Sequence, residues 1–112
     1  MKNIYLDNAA TTEIDIEVID VMVKTMRNNF GNPSSIHSEG RKTRSLIEES
    51  RKKIADLLNS SPSEIFFTSG GTEADNMAIR GAVRDAGVRH IITSKIEHAA
   101  VINTVANLES KK

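Results

Sequence analysis

Cysteine is absent from this sequence. Disulfide bonds, thiolate metal ligands and a cysteine nucleophile are therefore excluded within these 112 residues. An excess of charge of one sign is also missing, because 15 Lys and Arg residues balance 15 Asp and Glu residues. This balance gives no indication of a basic face for nucleic acid or of an acidic disordered tract. Small molecules and protein partners are the expected ligands.

Long apolar runs are missing as well. No stretch approaches the ~20 apolar residues that span a membrane, and the start "MKNIYLDNAATT" lacks the apolar core of a secretion signal. These absences predict a cytoplasmic protein without a membrane segment. The length predicts one small domain, which in compact form buries roughly two thirds of the surface that its unfolded chain exposes. Any second domain would have to come from elsewhere.

Turn signals and apolar spacing divide the chain into three parts. Residues 1–14, with the run "NIYL" followed by "DNAATT", are predicted to form an extended arm. Residues 15–60 are predicted to be helical, with one helix that starts at Asp15 as N-cap and a second that begins at about Gly40. Between these helices, "NNFGNPSS" breaks regular structure.

The third part, residues 61–112, alternates as a βαβα unit does. The segments "EIFFTS" and "HIITS" are predicted to be strands, and residues 72–86 and 97–109 are predicted to be helices. The strands are expected to lie parallel in one sheet and to be joined by a right-handed crossover.

The junction "TSGGTEADN" is the first candidate site. Gly70 and Gly71 are expected to let the backbone turn sharply and approach a ligand, and Thr72 is predicted to be the N-cap, with Asp75 completing a capping box. The first-turn N–H groups of a helix after a parallel strand bind anions, so a phosphate is the expected guest. The alternative is that the glycines only form a tight turn and Thr72 only caps the helix. The spacing alone does not decide between these two interpretations.

The second candidate is His98, which opens the next helix in "SKIEHAAV". Its imidazole is expected on the same sheet edge as Thr72, where it can stack on a flat ring or transfer a proton near neutral pH. The alternative is that His98 is only a cap or a surface residue. His37 and His90 have weaker cases, and no metal-ligand spacing links the three histidines.

Four motifs occur in order along the chain: "YLDNAATT", "FGNPSSIH", "FFTSGGTEADN" and "HIITSKIEHAAV". Together they resemble the N-terminal part of the cysteine desulfurases, the NifS/IscS-like branch of the class V aminotransferases, which depend on pyridoxal phosphate. The resemblance implies part of the large domain of an aspartate-aminotransferase-like, fold type I transferase. It also implies a reaction that converts L-cysteine to L-alanine and leaves enzyme-bound sulfur for iron–sulfur cluster assembly.

The resemblance implies roles for individual residues of this sequence. Gly71 and Thr72 match the loop that binds the cofactor phosphate, and His98 matches the catalytic histidine that stacks on the pyridine ring. The substrate side of the pocket is matched by Asn8, Ala9, Ala10 and, at the entrance, Asn32. Lys95 matches no Schiff-base lysine of the family. The sequence departs from the family at "GGTEA", where relatives commonly have Ala for the second Gly and Ser for Ala74.

The resemblance also indicates what this segment lacks. The Schiff-base lysine, the nucleophilic cysteine, the aspartate under the ring nitrogen and the substrate-binding arginine are expected beyond residue 112. The chain alone, a truncated N-terminal segment, is therefore predicted to bind pyridoxal phosphate weakly or not at all and to be inactive unless a C-terminal portion complements it.

Three functions stay open at this point. The chain is the N-terminal portion of a cysteine desulfurase, a piece of another class V aminotransferase or lyase, or a non-catalytic self-associating module with a residual phosphate site. Unpaired strand edges predict a homo-oligomer, specifically an intertwined dimer.

Overall fold

A computed structural model describes residues 4–110 of the chain. The described residues form four α-helices and one short 3₁₀ helix. In chain order they are α1 (Ile16–Asn28), α2 (Ser38–Leu57), the 3₁₀ turn (Pro62–Glu64), α3 (Gly71–Arg84) and α4 (Ala99–Glu109). The chain divides into two compact units at Ile65 and Phe66, so that α1 and α2 belong to the first unit and α3 and α4 to the second.

Helix α1 begins as its sequence predicts. The Asp15 carboxylate accepts a hydrogen bond from the amide of Glu17 at 2.9 Å, which confirms Asp15 as the N-cap. The helix ends where the amide of Asn29 donates to the carbonyl of Thr25 at 2.9 Å. None of the residues of α1 is buried. Its apolar face is thus left exposed in the first unit.

Helix α2 begins two residues earlier than predicted, at Ser38. The cause is His37, whose Nδ1 accepts a hydrogen bond from the amide of Gly40 at 3.3 Å and so caps the helix. At the other end, Asn59 adopts a left-handed conformation with φ 51°. This conformation lets the amide of Ser60 reach back to the carbonyl of Ala55 at 2.9 Å, as in a Schellman motif.

The predicted strands "EIFFTS" and "HIITS" are not assigned, because residues 4–110 contain no β-strand. Both segments run between helices without a ladder of backbone hydrogen bonds. A strand exists only by pairing, and two strands alone are marginal in water. The helices of this unit agree better with prediction, since α3 spans Gly71–Arg84 and α4 spans Ala99–Glu109.

Little apolar surface is buried. The buried apolar residues among those described are Ala55 and Ala100. The accessible surface of the chain is 9829 Å², whereas a folded monomer of 12.3 kDa is expected to expose about 6100 Å². The chain therefore buries less of its surface than the compact form that its length allows. Among the described helices, none is long and apolar enough to cross a membrane.

Candidate functional site

Helix α3 begins without a side-chain cap. Gly70 is the N-cap residue and makes no side-chain hydrogen bond, and its carbonyl accepts from the amide of Ala74 at 3.1 Å. Thr72 is therefore the second residue of the helix, and its predicted role as N-cap with Asp75 in a capping box is wrong. Because no side chain caps this end, the first-turn N–H groups, including that of Thr72, are left for an outside acceptor.

The two glycines leave open space where the chain bends into α3. Gly70 has φ 164° and ψ 178°, an extended conformation that any residue adopts. The chain bends at Ser69 and Gly70, but the φ of Gly70 does not by itself require glycine. A Cβ atom at either Gly70 or Gly71 would have no other heavy atom within 4 Å. The approach to the start of α3 is thus open.

Glu73, which the sequence analysis did not single out, folds back over the segment before α3. One of its carboxylate oxygens, Oε2, accepts hydrogen bonds from the amide of Ser69 at 2.6 Å and from the Ser69 hydroxyl at 2.8 Å. The backbone hydrogen bond, and then the side-chain one, hold the pKa of Glu73 below its usual value. The negative charge favours the helix start through the helix dipole, but it also lies close to any anion that binds there.

Helix α4 begins at its own histidine. His98 is the N-cap, its Nδ1 accepts from the amide of Ala100 at 3.1 Å, and its carbonyl accepts from Val101 at 2.9 Å. The interpretation of His98 as a cap thus agrees with the geometry. Because Nδ1 accepts, the neutral ring carries its proton on Nε2. That nitrogen stays available for a second role.

Thr72 and His98 line one cleft in the second unit, which we call the α3–α4 cleft. Its volume is about 380 Å³, and its polar lining comprises Thr72, Asn76, Arg80, His98, Asn103, Thr104 and Asn107. The structure therefore brings together two residues that the sequence placed at the starts of consecutive helices. It does so through helix packing in the described chain and not through a sheet edge.

Arg80 brings the positive charge of the α3–α4 cleft. Its Nε donates to Asn76 Oδ1 at 3.3 Å, and one terminal nitrogen donates to Asn107 Oδ1 at 3.3 Å. Neither amide oxygen is charged, so the guanidinium charge is not neutralised by these partners. The cleft therefore combines an uncapped helix start with a cationic side chain, and this arrangement favours an anionic ligand.

The predicted substrate-side residues lie in the first unit. Asn8, Ala9 and Ala10 form an exposed turn in which the amide of Ala10 donates to the carbonyl of Asp7 at 3.0 Å. The Asn32 side chain accepts from the amide of Ser34 at 2.9 Å, and it is thus used to shape its own loop. The α3–α4 cleft is lined by residues of the second unit alone.

Comparison with known proteins gives the family. The family model described as "Aminotransferase class-V" matches residues 4–112. The chain belongs to the class-V aminotransferase family.

The relatives of this class-V aminotransferase chain include proteins named cysteine desulfurase IscS. The one from Methanosarcina thermophila is 52% identical over 98% of this chain, and the one from Dictyoglomus turgidum (strain DSM 6724 / Z-1310) is 51% identical over 96%. A solved structure titled "NIFS-LIKE PROTEIN" matches 93% of the chain with a TM-score of 0.83 at 40% identity. The chain spans 28% of the length of each of these two relatives and 29% of that solved chain.

These matches confirm the predicted resemblance to the N-terminal part of the cysteine desulfurases and assign the fold of the pyridoxal-phosphate transferases. The βαβα order is not confirmed, since residues 4–110 lack strands. The class-V family depends on pyridoxal phosphate. The residues present fit its phosphate, because the start of α3 is uncapped and the space beside Gly70 and Gly71 is open.

The other polar residues of the α3–α4 cleft do not stand out in the sequence by residue type. Asn76 and Arg80 follow Thr72 at intervals of four, and Thr104 follows Ala100 at the same interval. Residues spaced by four lie on one helix face, so the spacing marks them once α3 and α4 are known to be neighbours. That knowledge requires the tertiary structure.

Proposed function

We propose that these residues supply the phosphate-binding and ring-contacting part of the pyridoxal-phosphate site of a cysteine desulfurase. The observation that carries the proposal is the α3–α4 cleft, where the uncapped start of α3 and the imidazole of His98 line the same space. Thr72 lies at that start and His98 caps the next helix. Two helix starts that meet at one cleft suit a ligand with a phosphate on an aromatic ring.

The roles of the cleft residues follow from their positions. The N–H groups of Gly71 and Thr72 bind the phosphate, and the Arg80 guanidinium adds a favourable charge farther along the same helix face. His98 contacts the ring, and its Nε2–H donates a hydrogen bond. When bound, pyridoxal phosphate supplies an electron sink for reactions at the α-carbon of an amino acid. In the isolated chain we expect the cofactor to be bound weakly, because the lysine that anchors it is missing.

The substrate we propose is L-cysteine, which is converted to L-alanine while the sulfur passes to a cysteine thiol. Asn8, Ala9, Ala10 and Asn32 line the substrate side in this proposal. The sequence has no cysteine, so the accepting thiol has to come from a complementing portion equivalent to the rest of the relatives. The same portion supplies the lysine that anchors the cofactor. We place the assembled protein in the cytoplasm.

Binding of pyridoxal phosphate to the chain tests the site. In a ¹⁵N-labelled sample, titration with the cofactor is expected to shift the amide signals of Gly71 and Thr72 and the ring signals of His98. Thr72→Ala should weaken this response, whereas Thr43→Ala, on α2 in the first unit, should leave it unchanged. Shifts confined to other residues, with Thr72→Ala without effect, would mean that the site is misplaced.

A second candidate function is self-association. A groove of about 1130 Å³, the apolar groove, lies in the second unit, and its apolar lining comprises Val83, Val88, Ile91, Ile92, Val105 and Leu108. Polar side chains also line it: Arg84, Arg89, His90, Thr93 and Glu109. Ile92 is 90% exposed, and contiguous exposed apolar surface marks interaction sites. We propose a homo-oligomer, specifically an intertwined dimer in which the unpaired backbone around Ile92 pairs with a second copy.

A further inference from the structure

A buried hydroxyl joins the two helices of the α3–α4 cleft. Thr104 is 2% exposed, and its Oγ1 lies 2.7 Å from Asn76 Oδ1 and 2.7 Å from the carbonyl oxygen of Ala100. Both partners are acceptors, so the single hydroxyl proton is shared between a bond inside α4 and a bond to α3. Among the described residues, every buried side-chain nitrogen or oxygen has a hydrogen-bond partner.

The orientation of the Asn76 amide is fixed by its second contact. Asn76 Nδ2 donates to the carbonyl of Thr72 at 2.8 Å, which leaves Oδ1 as the acceptor that faces Thr104. At the other end, Ala100 accepts from Thr104 through its carbonyl and donates from its amide to His98 Nδ1 at 3.1 Å. A continuous series of contacts thus connects Thr72 to His98 through Asn76, Thr104 and Ala100.

The contact between the helices is not needed to satisfy the threonine. Thr43 on α2 makes the same local bond, from its hydroxyl to the carbonyl of Glu39 at 3.1 Å, and within residues 4–110 it has no acceptor on another helix. Thr104 adds an acceptor 28 residues away in sequence. Because this contact is buried and directional, it restricts how the starts of α3 and α4 can move relative to each other.

We propose that Asn76 and Thr104 are positioning residues that hold Thr72 and His98 at a fixed mutual spacing. The consequence for the cofactor rests on the proposed function above, but the spacing is a property of the free chain. Neither side chain has to contact a ligand for this role. Their effect is exerted through the carbonyl of Thr72 and the backbone of Ala100.

The first experiment uses the free chain. In Thr104→Val, which removes the hydroxyl at nearly constant volume, we expect the Thr72 amide and the His98 ring nitrogens to shift in ¹⁵N NMR spectra. Thr104→Ser should restore the native signals, and Thr43→Val should not move them. Native signals for both Thr72 and His98 in a folded Thr104→Val chain would overturn the proposal, because the residue would then only fill space. If Thr104→Val does not fold, Asn76→Ala takes its place, with the same readout and the same overturning result.

The second experiment separates this proposal from the proposed function. Titration of each variant with pyridoxal phosphate should show binding weakened about fivefold in Thr104→Val, the effect of one hydrogen bond of about 1 kcal/mol, and recovered in Thr104→Ser. Undiminished binding in Thr104→Val would overturn the positioning role and leave the cofactor site standing. Linked shifts at Thr72 and His98 without cofactor binding in any variant would support the positioning role and reject the site.

Discussion

Two buried glycines let the loop before α2 lie directly on the start of that helix. A Cβ atom at Gly40 would lie 2.5 Å from the carbonyl oxygen of Ser35 and 2.6 Å from that of Asn32, and one at Gly31 would lie 2.5 Å from backbone atoms of Glu39. Backbone atoms cannot move aside as a flexible side chain does. The loop that contains Asn32 is therefore shaped by the absence of side chains at these positions.

Gly40→Ala should destabilise the chain by about 1 to 3 kcal/mol, because the added methyl group is forced against backbone. Urea unfolding followed by circular dichroism measures the change. Gly81→Ala on α3 is the matched control, since its Cβ would meet no atom closer than Asp85 Oδ2 at 3.9 Å. Because alanine is favoured over glycine in a helix interior, Gly81→Ala should raise the free energy of unfolding by about 0.5 to 1 kcal/mol. Equal effects of the two substitutions would contradict this account of the loop.

The pKa of Glu73 gives a prediction about pH. Hydrogen bonds from Ser69 lower it from the value of 4.5 that an unperturbed glutamate has. The carboxylate therefore contributes stability above about pH 4.5, and the contribution is lost as the pH falls through the lower value of the folded chain. Carboxyl ¹³C NMR should show Glu73 titrating below its usual range.

Ser69→Ala removes one of the two hydrogen bonds to Glu73 and should move its pKa part of the way back up, since the backbone amide bond remains. Ser110→Ala, whose hydroxyl bonds only the carbonyl of Asn107, is the control and should leave the titration unchanged. An identical Glu73 titration in the native chain and in Ser69→Ala would show that the hydroxyl has no part in the shift.

Helix α2 ends through a left-handed residue, and this end can be tested on its own. Asn59 has φ 51°, a conformation that asparagine tolerates and that a β-branched residue avoids. Asn59→Val should lower the free energy of unfolding by about 1 to 2 kcal/mol. Thermal unfolding followed by circular dichroism at 222 nm measures the change. Asn59→Gly should be close to neutral or slightly stabilising. The prediction fails if valine and glycine behave alike at this position.

Local signals explain which helices the sequence predicted well. Asp15 caps α1 because its carboxylate reaches an amide two residues away, and periodic apolar residues follow it. The start of α3 was misread because Thr72 is a good N-cap by type, whereas the backbone begins the helix at Gly71. Cap preference is a weak local signal. A shift of the helix start by one residue changes which side chain can cap the free N–H groups.

The strands and the polar contact between α3 and α4 depend on distant parts of the chain. "HIITS" has the composition of a strand, but composition does not provide the neighbour to which a strand bonds. Asn76 and Thr104 are 28 residues apart, and nothing near either one predicts the other. The motifs of the family indicated Thr72 and His98 as site residues. Such motifs reflect tertiary contacts that the spacing of residues alone does not reveal.

For the whole molecule, exposed apolar surface is the dominant feature. Ile92 is 90% exposed and Ile96 is 95% exposed, and both lie in or beside the segment predicted to be a strand. In the second unit, that segment lines the apolar groove together with α4, the end of α3 and the residues after α3. Apolar surface contributes about 25 cal/mol per Å² when it is removed from water, so covering this groove is strongly favoured.

We expect the chain to form oligomers at micromolar concentration, with a mass by light scattering that is a multiple of 12.3 kDa. Ile92→Lys replaces an apolar side chain of the groove with a charged one and should weaken association by about tenfold or more, because a charge is costly to remove from water. Ile36→Lys is the matched control: this residue is 89% exposed in the first unit, outside the groove, and its substitution should leave the mass unchanged. A monodisperse 12.3 kDa species in the native chain would exclude self-association and leave the groove to a complementing portion. Equal dissociation by both substitutions would instead place the contact outside the groove.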